Sequence, residues 1–129
     1  MAFAPRILVV DDEPTVRRLF EAVLSRRGYY VAVARTGQHA MLQLRDRAFD
    51  VVVVDISLQD VDGLQLLRHI RSEFPSCRVL AVSGFMAPSL HDMALDAGAD
   101  AALAKPVRAR ALQDAVSRLL DPSHAWRSR

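Results

Sequence analysis

Lysine is almost missing from this chain. Of its 17 basic residues one is lysine, Lys105, and the other sixteen are arginine. Cysteine is equally scarce: the single Cys77 rules out an internal disulfide and fits a reducing compartment. No apolar run approaches the roughly 18 residues of a membrane span. The opening MAFAPRILVV also lacks the charged start and long apolar stretch of a secretory signal. A cytoplasmic protein without membrane contact is expected. Nor is there a dense basic tract. The arginines fall in pairs (Arg17-Arg18, Arg26-Arg27) and singles, without interleaved aromatics, at a net charge of +2. That pattern suits solvated helix faces and argues against direct nucleic-acid binding. With no internal repeat, low-complexity tract or linker before residue 121, the 129 residues read as one domain over 1–121 and a short polar tail over 122–129.

What is present is an alternation of short β-branched runs with amphipathic segments. RILVV (6–10), YVAVA (30–34), DVVVVD (50–55), RVLAVS (78–83) and ADAALA (99–104) read as strands. The four consecutive valines suit a central strand covered on both faces, and the alanine-rich last run is the poorest in strand formers. Helical spacing marks 14–27 (Val16, Leu19, Phe20, Val23, Leu24), 36–47 (Ala40, Met41, Leu44) and 63–74 (Leu64, Leu67, Ile70). It also marks 88–97 (Leu90, Met93, Ala94, Ala97) and 107–120 (Leu112, Ala115, Val116, Leu119). Five strand–helix repeats imply an α/β fold, a five-stranded doubly wound parallel sheet with helices on both faces.

In such a sheet ligands sit outside the carboxyl ends of the strands. The first strand leaves Asp11, Asp12 and Glu13 there, the third Asp55, the fourth Ser83-Gly84, the fifth Lys105-Pro106. Each has an ordinary explanation. Asp12 suits a helix cap before Pro14, Asp55 a strand end, Ser83-Gly84 a turn, and Lys105 a surface cation. All four at one rim would be four coincidences. Together they make chemical sense: crowded carboxylates repel unless a cation neutralises them, and hard oxygen ligands suit Mg²⁺. A carboxylate beside Mg²⁺ can attack phosphorus to give an aspartyl phosphate, whose oxygens a lysine and a serine hydroxyl would stabilise.

The stretches ILVVDDEP (7–14), VVVVDISLQDVDG (51–63), VLAVSG (79–84) and GADAALAKPV (98–107) together resemble the response-regulator receiver domain of two-component signalling, with the CheY-like, flavodoxin-like fold. The resemblance covers about residues 5–120 and implies strand order 2-1-3-4-5. It implies Asp55 as phospho-acceptor and Asp12 as a direct Mg²⁺ ligand, with Asp11 acting through water and the Ser57 backbone carbonyl as third protein ligand. Ser83 corresponds to the hydroxyl that moves to the phosphoryl group, Lys105 to the cation that pairs with it. The Lys105-Pro106 bond is expected cis. The implied donor is a phosphohistidine on a sensor histidine kinase or phosphotransfer protein, and the output an unnamed downstream protein, through a monomer or a phosphorylation-dependent dimer. A lysine spared among sixteen arginines fits a tight site that needs a compact charge.

Two departures stand out. The loop after Asp55 reads Leu58-Gln59-Asp60-Val61-Asp62-Gly63 without the family's usual proline, which should loosen it. Ala102 stands where the family usually has an aromatic ring that turns inward with the hydroxyl residue, leaving Phe85 and Met86 as stand-ins or another surface for output. His39, His69, His91 and His124 show no metal-ligand spacing, and Trp126 lies in the tail. The leading function is a phosphorylatable signalling domain acting by protein contact, since nine residues after Leu120 hold no output domain. The other readings are a receiver excised from a larger regulator or hybrid kinase, and a phosphohydrolase with an Asp55 nucleophile, which lacks a visible substrate pocket or cap. A dinucleotide-binding domain is disfavoured, because DDEP would repel a pyrophosphate.

Overall fold

The computed structural model describes residues 4–85 and 87–122. Met86, His124 and Trp126, named above, lie outside the described residues, as does the tail beyond Pro122. Strands β1 (Arg6–Val10), β2 (Tyr30–Ala34), β3 (Val51–Asp55), β4 (Arg78–Ser83) and β5 (Ala101–Ala104) alternate with five helices. The helices are α1 (Pro14–Ser25), α2 (Gly37–Asp46), α3 (Gly63–Glu73), α4 (Pro88–Ala97) and α5 (Ala109–Leu120). The strands form one parallel sheet in the order β2-β1-β3-β4-β5, as the resemblance implied.

Side chains alternate across a strand, so the valines of β3 divide between two cores. Val51 and Val53 join Ile7, Val9, Leu80 and Val82 beneath α1 and α5. Val52 and Val54 join Leu8, Val10, Val79 and Ala81 beneath α2, α3 and α4. All four valines are at most 1% exposed, so the central strand is held equally from both sides. Burying each such side chain contributes about 1.5–3 kcal/mol.

The helix faces follow the expected spacing with two exceptions. Phe20, Val23 and Leu24 bury the inner face of α1, while Leu19 is 53% exposed. It sits one residue, about 100° of turn, before Phe20 and rotates off the contact stripe. In α4 the buried residues are Ala94 and Ala97, and Met93 is 49% exposed. Two alanines let the helix approach the sheet closely, and the longer methionine falls to the outer edge of that narrow seam. β5 is shorter than the run 99–104, because Ala99 and Asp100 form the turn out of α4 instead. Gly98 closes α4 at φ +123°, where a side chain would be strained and would also meet Arg71.

That turn is fixed by a buried ion pair at the end of the sheet opposite the carboxyl ends. Arg71 of α3 donates to Asp100 (2.6 Å) and to the carbonyls of Gly98, Pro75 and Cys77. The same Asp100 oxygen accepts the Val79 amide at 2.7 Å. One guanidinium thus joins α3, the start of β4 and the entry to β5. The Asp100 side chain is fully buried, and removing one partner from such a pair typically costs about 3–5 kcal/mol. Arg71→Met should therefore lower the unfolding free energy by about 3 kcal/mol or more in urea titrations.

Cys77 lies next to this network, buried, and desolvation pushes its thiol from 9.0 up to about 12. Between those values the folded protein keeps a proton that the unfolded chain has lost, so this group's contribution to stability falls as pH rises through the window. The stability difference between wild type and Cys77→Ala should accordingly shrink from pH 9.0 toward 12, read from urea midpoints, and the folded thiol should resist alkylation.

Candidate functional site

The carboxyl ends of β1, β3, β4 and β5 lie along one rim of the sheet. Asp11 follows β1 directly, its amide donating to Ala34 of β2 at 3.1 Å. One carboxylate oxygen, Oδ1, accepts the Glu13 amide at 2.9 Å and turns the chain into α1. The other is left facing Lys105. Asp12 does not cap α1, whose N-cap is Glu13 and whose first turn has no side-chain cap. The helix-capping explanation for Asp12 therefore falls away. Arg17, one turn into α1, donates to the Asp11 carbonyl at 2.8 Å and holds that bend from behind.

Asp55 ends β3 and is 3% exposed. Its Oδ1 accepts both the amide and the hydroxyl of Ser57, at 2.9 and 2.6 Å, and its Oδ2 faces Lys105. Lys105 follows β5, its amide donating to the Ser83 carbonyl at 2.8 Å, and its bond to Pro106 is cis. From there the ammonium reaches across the sheet to Asp11 at 2.8 Å, Asp55 at 3.1 Å and Glu13 at 3.2 Å. Ser83 is buried at the end of β4, and its hydroxyl accepts the Phe85 amide at 3.2 Å rather than touching the acids.

The structure thus brings Asp11, Asp12, Asp55 and Lys105 together, sets Ser57 against Asp55, and holds Ser83 one strand away. Carboxylate oxygens of Asp11, Asp12 and Asp55 all lie within 4.8 Å of one another. Glu13 joins them as a partner of Lys105, and Arg17 is a contributor that strand-end reasoning passed over. The signal for Arg17 was its place one turn after the DDE run, on the side of α1 facing the rim. The histidines stay apart: His39 and His69 are exposed, His91 is half-buried, and none joins the acidic cluster among the described residues. Ala102 is half-buried opposite Ala81 in the core beneath α2–α4, and the Phe85 ring is 81% exposed.

Burial raises Asp11 above the usual carboxylate range, with the charge of Asp55 adding to it, although Lys105 and the Glu13 amide pull the other way. For Lys105 desolvation opposes the charge, but the hydrogen bonds and charges of Asp11 and Asp55 outweigh it and raise the ammonium above its ordinary value. One ammonium pairs with Asp11, Asp55 and Glu13, and Asp12 adds a further carboxylate to the cluster, so the site carries excess negative charge in hard oxygen donors. That donor set fits a small dication. Beside it, Val16, Leu19, Phe20, Gly84, Lys105, Pro106 and Val107 line an apolar groove of about 390 Å³.

Asp12 is the clustered acid that Lys105 does not reach. Neutralising it should relieve repulsion by about 1 kcal/mol without a dication, and the gain should vanish once one is bound. Thermal unfolding of Asp12→Asn and wild type, with and without millimolar Mg²⁺, reads this directly.

Residues 7–117 match the family model of the response regulator receiver domain. The transcriptional regulatory protein ZraR of Salmonella typhimurium is 34% identical over 114 residues, which is 88% of this chain and 26% of ZraR. Response regulator MprA of Mycobacterium sp. strain KMS is 36% identical over 114 residues, 88% of this chain and 48% of MprA. The chain therefore spans from about a quarter to a half of these relatives. Among solved structures, a CheY-like receiver domain protein from Methanospirillum hungatei superposes with a TM-score of 0.88 at 30% identity, covering 92% of this chain and 95% of that one. The beryllofluoride-activated NtrC4 receiver domain dimer gives 0.85 at 27% identity, covering 89% and 95%.

Proposed function

This chain belongs to the response regulator receiver domain family, a signalling domain of two-component systems, and on that premise we propose that it stores a phosphoryl group on Asp55. The observation that carries the reading is the Lys105 ammonium held between Asp11 and Asp55, at 2.8 and 3.1 Å, over a cluster of three acids. A surface lysine would not be buried among carboxylates in this way.

Asp12, Asp11 through water, Asp55 and the Ser57 carbonyl would hold Mg²⁺, which when bound supplies the positive charge that lets phosphoryl oxygens approach these acids. The chain's own groups do the rest. An Asp55 oxygen attacks the phosphorus of a phosphohistidine; an O–P bond forms as the N–P bond breaks, and the imidazole leaves with that bond's electron pair. Lys105 turns from neutralising Asp55 to pairing with the transferred group, needing little displacement because its ammonium already bridges the site. Ser83, whose oxygen accepts the Phe85 amide, donates its hydroxyl proton to a phosphoryl oxygen, which would draw Gly84 and Phe85 toward the rim.

The donor is a sensor histidine kinase or phosphotransfer protein. The apolar groove beside Lys105, with exposed Leu19 on its wall, is the surface that its histidine-bearing helices would cover. Output passes to a downstream protein by contact. With Ala102 in β5, no aromatic rotation at that position can carry it, so Gly84 and Phe85 after β4 and the loop after Asp55 are the routes adjoining the site.

Incubation with Mg²⁺ and acetyl phosphate, followed by intact mass, should add one phosphoryl group to wild type and none to Asp55→Asn. Equal labelling of both proteins would remove Asp55 from the role.

A further inference from the structure

The loop from Ile56 to Asp62 has no proline, yet it is tied at both ends and at its middle. At its start Ser57 bonds Asp55 twice. At its end Asp62 caps α3 through the Leu64 and Gln65 amides, and Gly63 lies so close to the Ile56 carbonyl that a Cβ would collide with it. In the middle, the Asp60 carboxylate crosses to α2 and accepts the Gly37 amide at 3.0 Å and the Gln38 amide at 3.2 Å. Val61 packs over the same spot; a Cβ on Gly37 would come within 2.5 Å of Val61 Cγ2. Small Gly37 lets the loop dock, and Asp60 fastens it.

Helix capping alone does not account for this contact. α2 has a cap of its own, Thr36, whose hydroxyl accepts the His39 amide at 3.0 Å. Asp60 takes the two remaining first-turn amides from more than twenty residues away, so the bonds that satisfy α2 also restrain the loop. Asp60 stands three residues from Ser57, a span of at most about 10 Å even when extended. Freedom at position 60 therefore reaches position 57, whose amide and hydroxyl both bond Asp55.

We propose that Asp60 is a positioning residue for phosphorylation of Asp55: by fastening the acceptor loop to the first turn of α2, it holds Ser57 in register with Asp55 and the metal. This rests on the reading of Asp55 as acceptor. It also answers the missing proline. A proline would stiffen the loop through its own ring; Asp60 stiffens it from outside, through a neighbouring helix. One consequence is that the N-terminus of α2 responds to events at Asp55.

The test compares wild type with Asp60→Ala, Asp60→Asn and Thr36→Ala. Two quantities are measured: the Mg²⁺ concentration giving half-maximal labelling by acetyl phosphate, and amide exchange at residues 37–38 and 56–59 with neither Mg²⁺ nor donor present. Asp60→Ala should raise the half-saturating Mg²⁺ about tenfold, the lower end for a residue that orients metal ligands, with the rate at saturating Mg²⁺ little changed. It should also speed exchange at Ser57. Asp60→Asn, keeping one acceptor oxygen, should fall between, and it decides the matter if Asp60→Ala does not fold. Thr36→Ala should lower stability and move neither quantity. If Asp60→Ala and Thr36→Ala behave alike in both, Asp60 is only a cap and the proposal is overturned. If wild type takes up no phosphoryl group, the acceptor reading fails instead, while Ser57 exchange still decides what Asp60 does.

Discussion

The Lys105 ammonium is the constraint around which the rim of this protein is organised. Two strand ends bring acids to one place, and without a cation among them the sheet's carboxyl edge would repel itself. Lys105 closes the distance between β1 and β3 from β5, a strand that touches neither. It sits in an acidic pocket that raises it above its ordinary value, so it is charged at any pH a cell experiences. The same bridge that steadies the resting protein holds a compact positive charge against the acidic cluster, where the proposed transfer to Asp55 would need it. Stabilisation of the fold and preparation for chemistry are therefore one interaction, and arginine's planar fork would serve the first better than the second.

The opposite end of the sheet is held by different means. There Arg71 and Asp100 fix the approach to β4 and β5 through a nearly dry, multiply bonded ion pair. Between the two ends, β3 is buried on both faces by residues whose only function is to pack. The loops after Asp55 and after Ser83 are where the ends of β3 and β4 connect to the rest of the molecule. The first is fastened to two helices; the second carries Phe85 into solvent.

Much of this was legible in the chain itself, for identifiable reasons. The valine run announced a doubly covered strand, and the acids, Ser83 and Lys105 each stood where a strand pattern stopped. Helix faces were less legible. Leu19 and Met93 fit an apolar stripe by spacing, but spacing does not reveal how wide a contact the sheet offers. The expected looseness of the 56–62 loop followed from a missing proline, a purely local inference. The contacts of Asp60 with Gly37 and Gln38, and of Arg71 with Asp100, join residues more than twenty apart, and no local pattern encodes them. Polar groups that serve tertiary structure look, in sequence, like ordinary surface residues.

The scarcity of lysine has a further meaning once its one position is known. Every other cationic side chain is a guanidinium, so the chain's single side-chain amine is the one held among Asp11, Glu13 and Asp55. Isotope labelling confined to lysine would thus mark this site and no other side chain. The environment of one nitrogen becomes a built-in reporter of what lies against the acids of this rim.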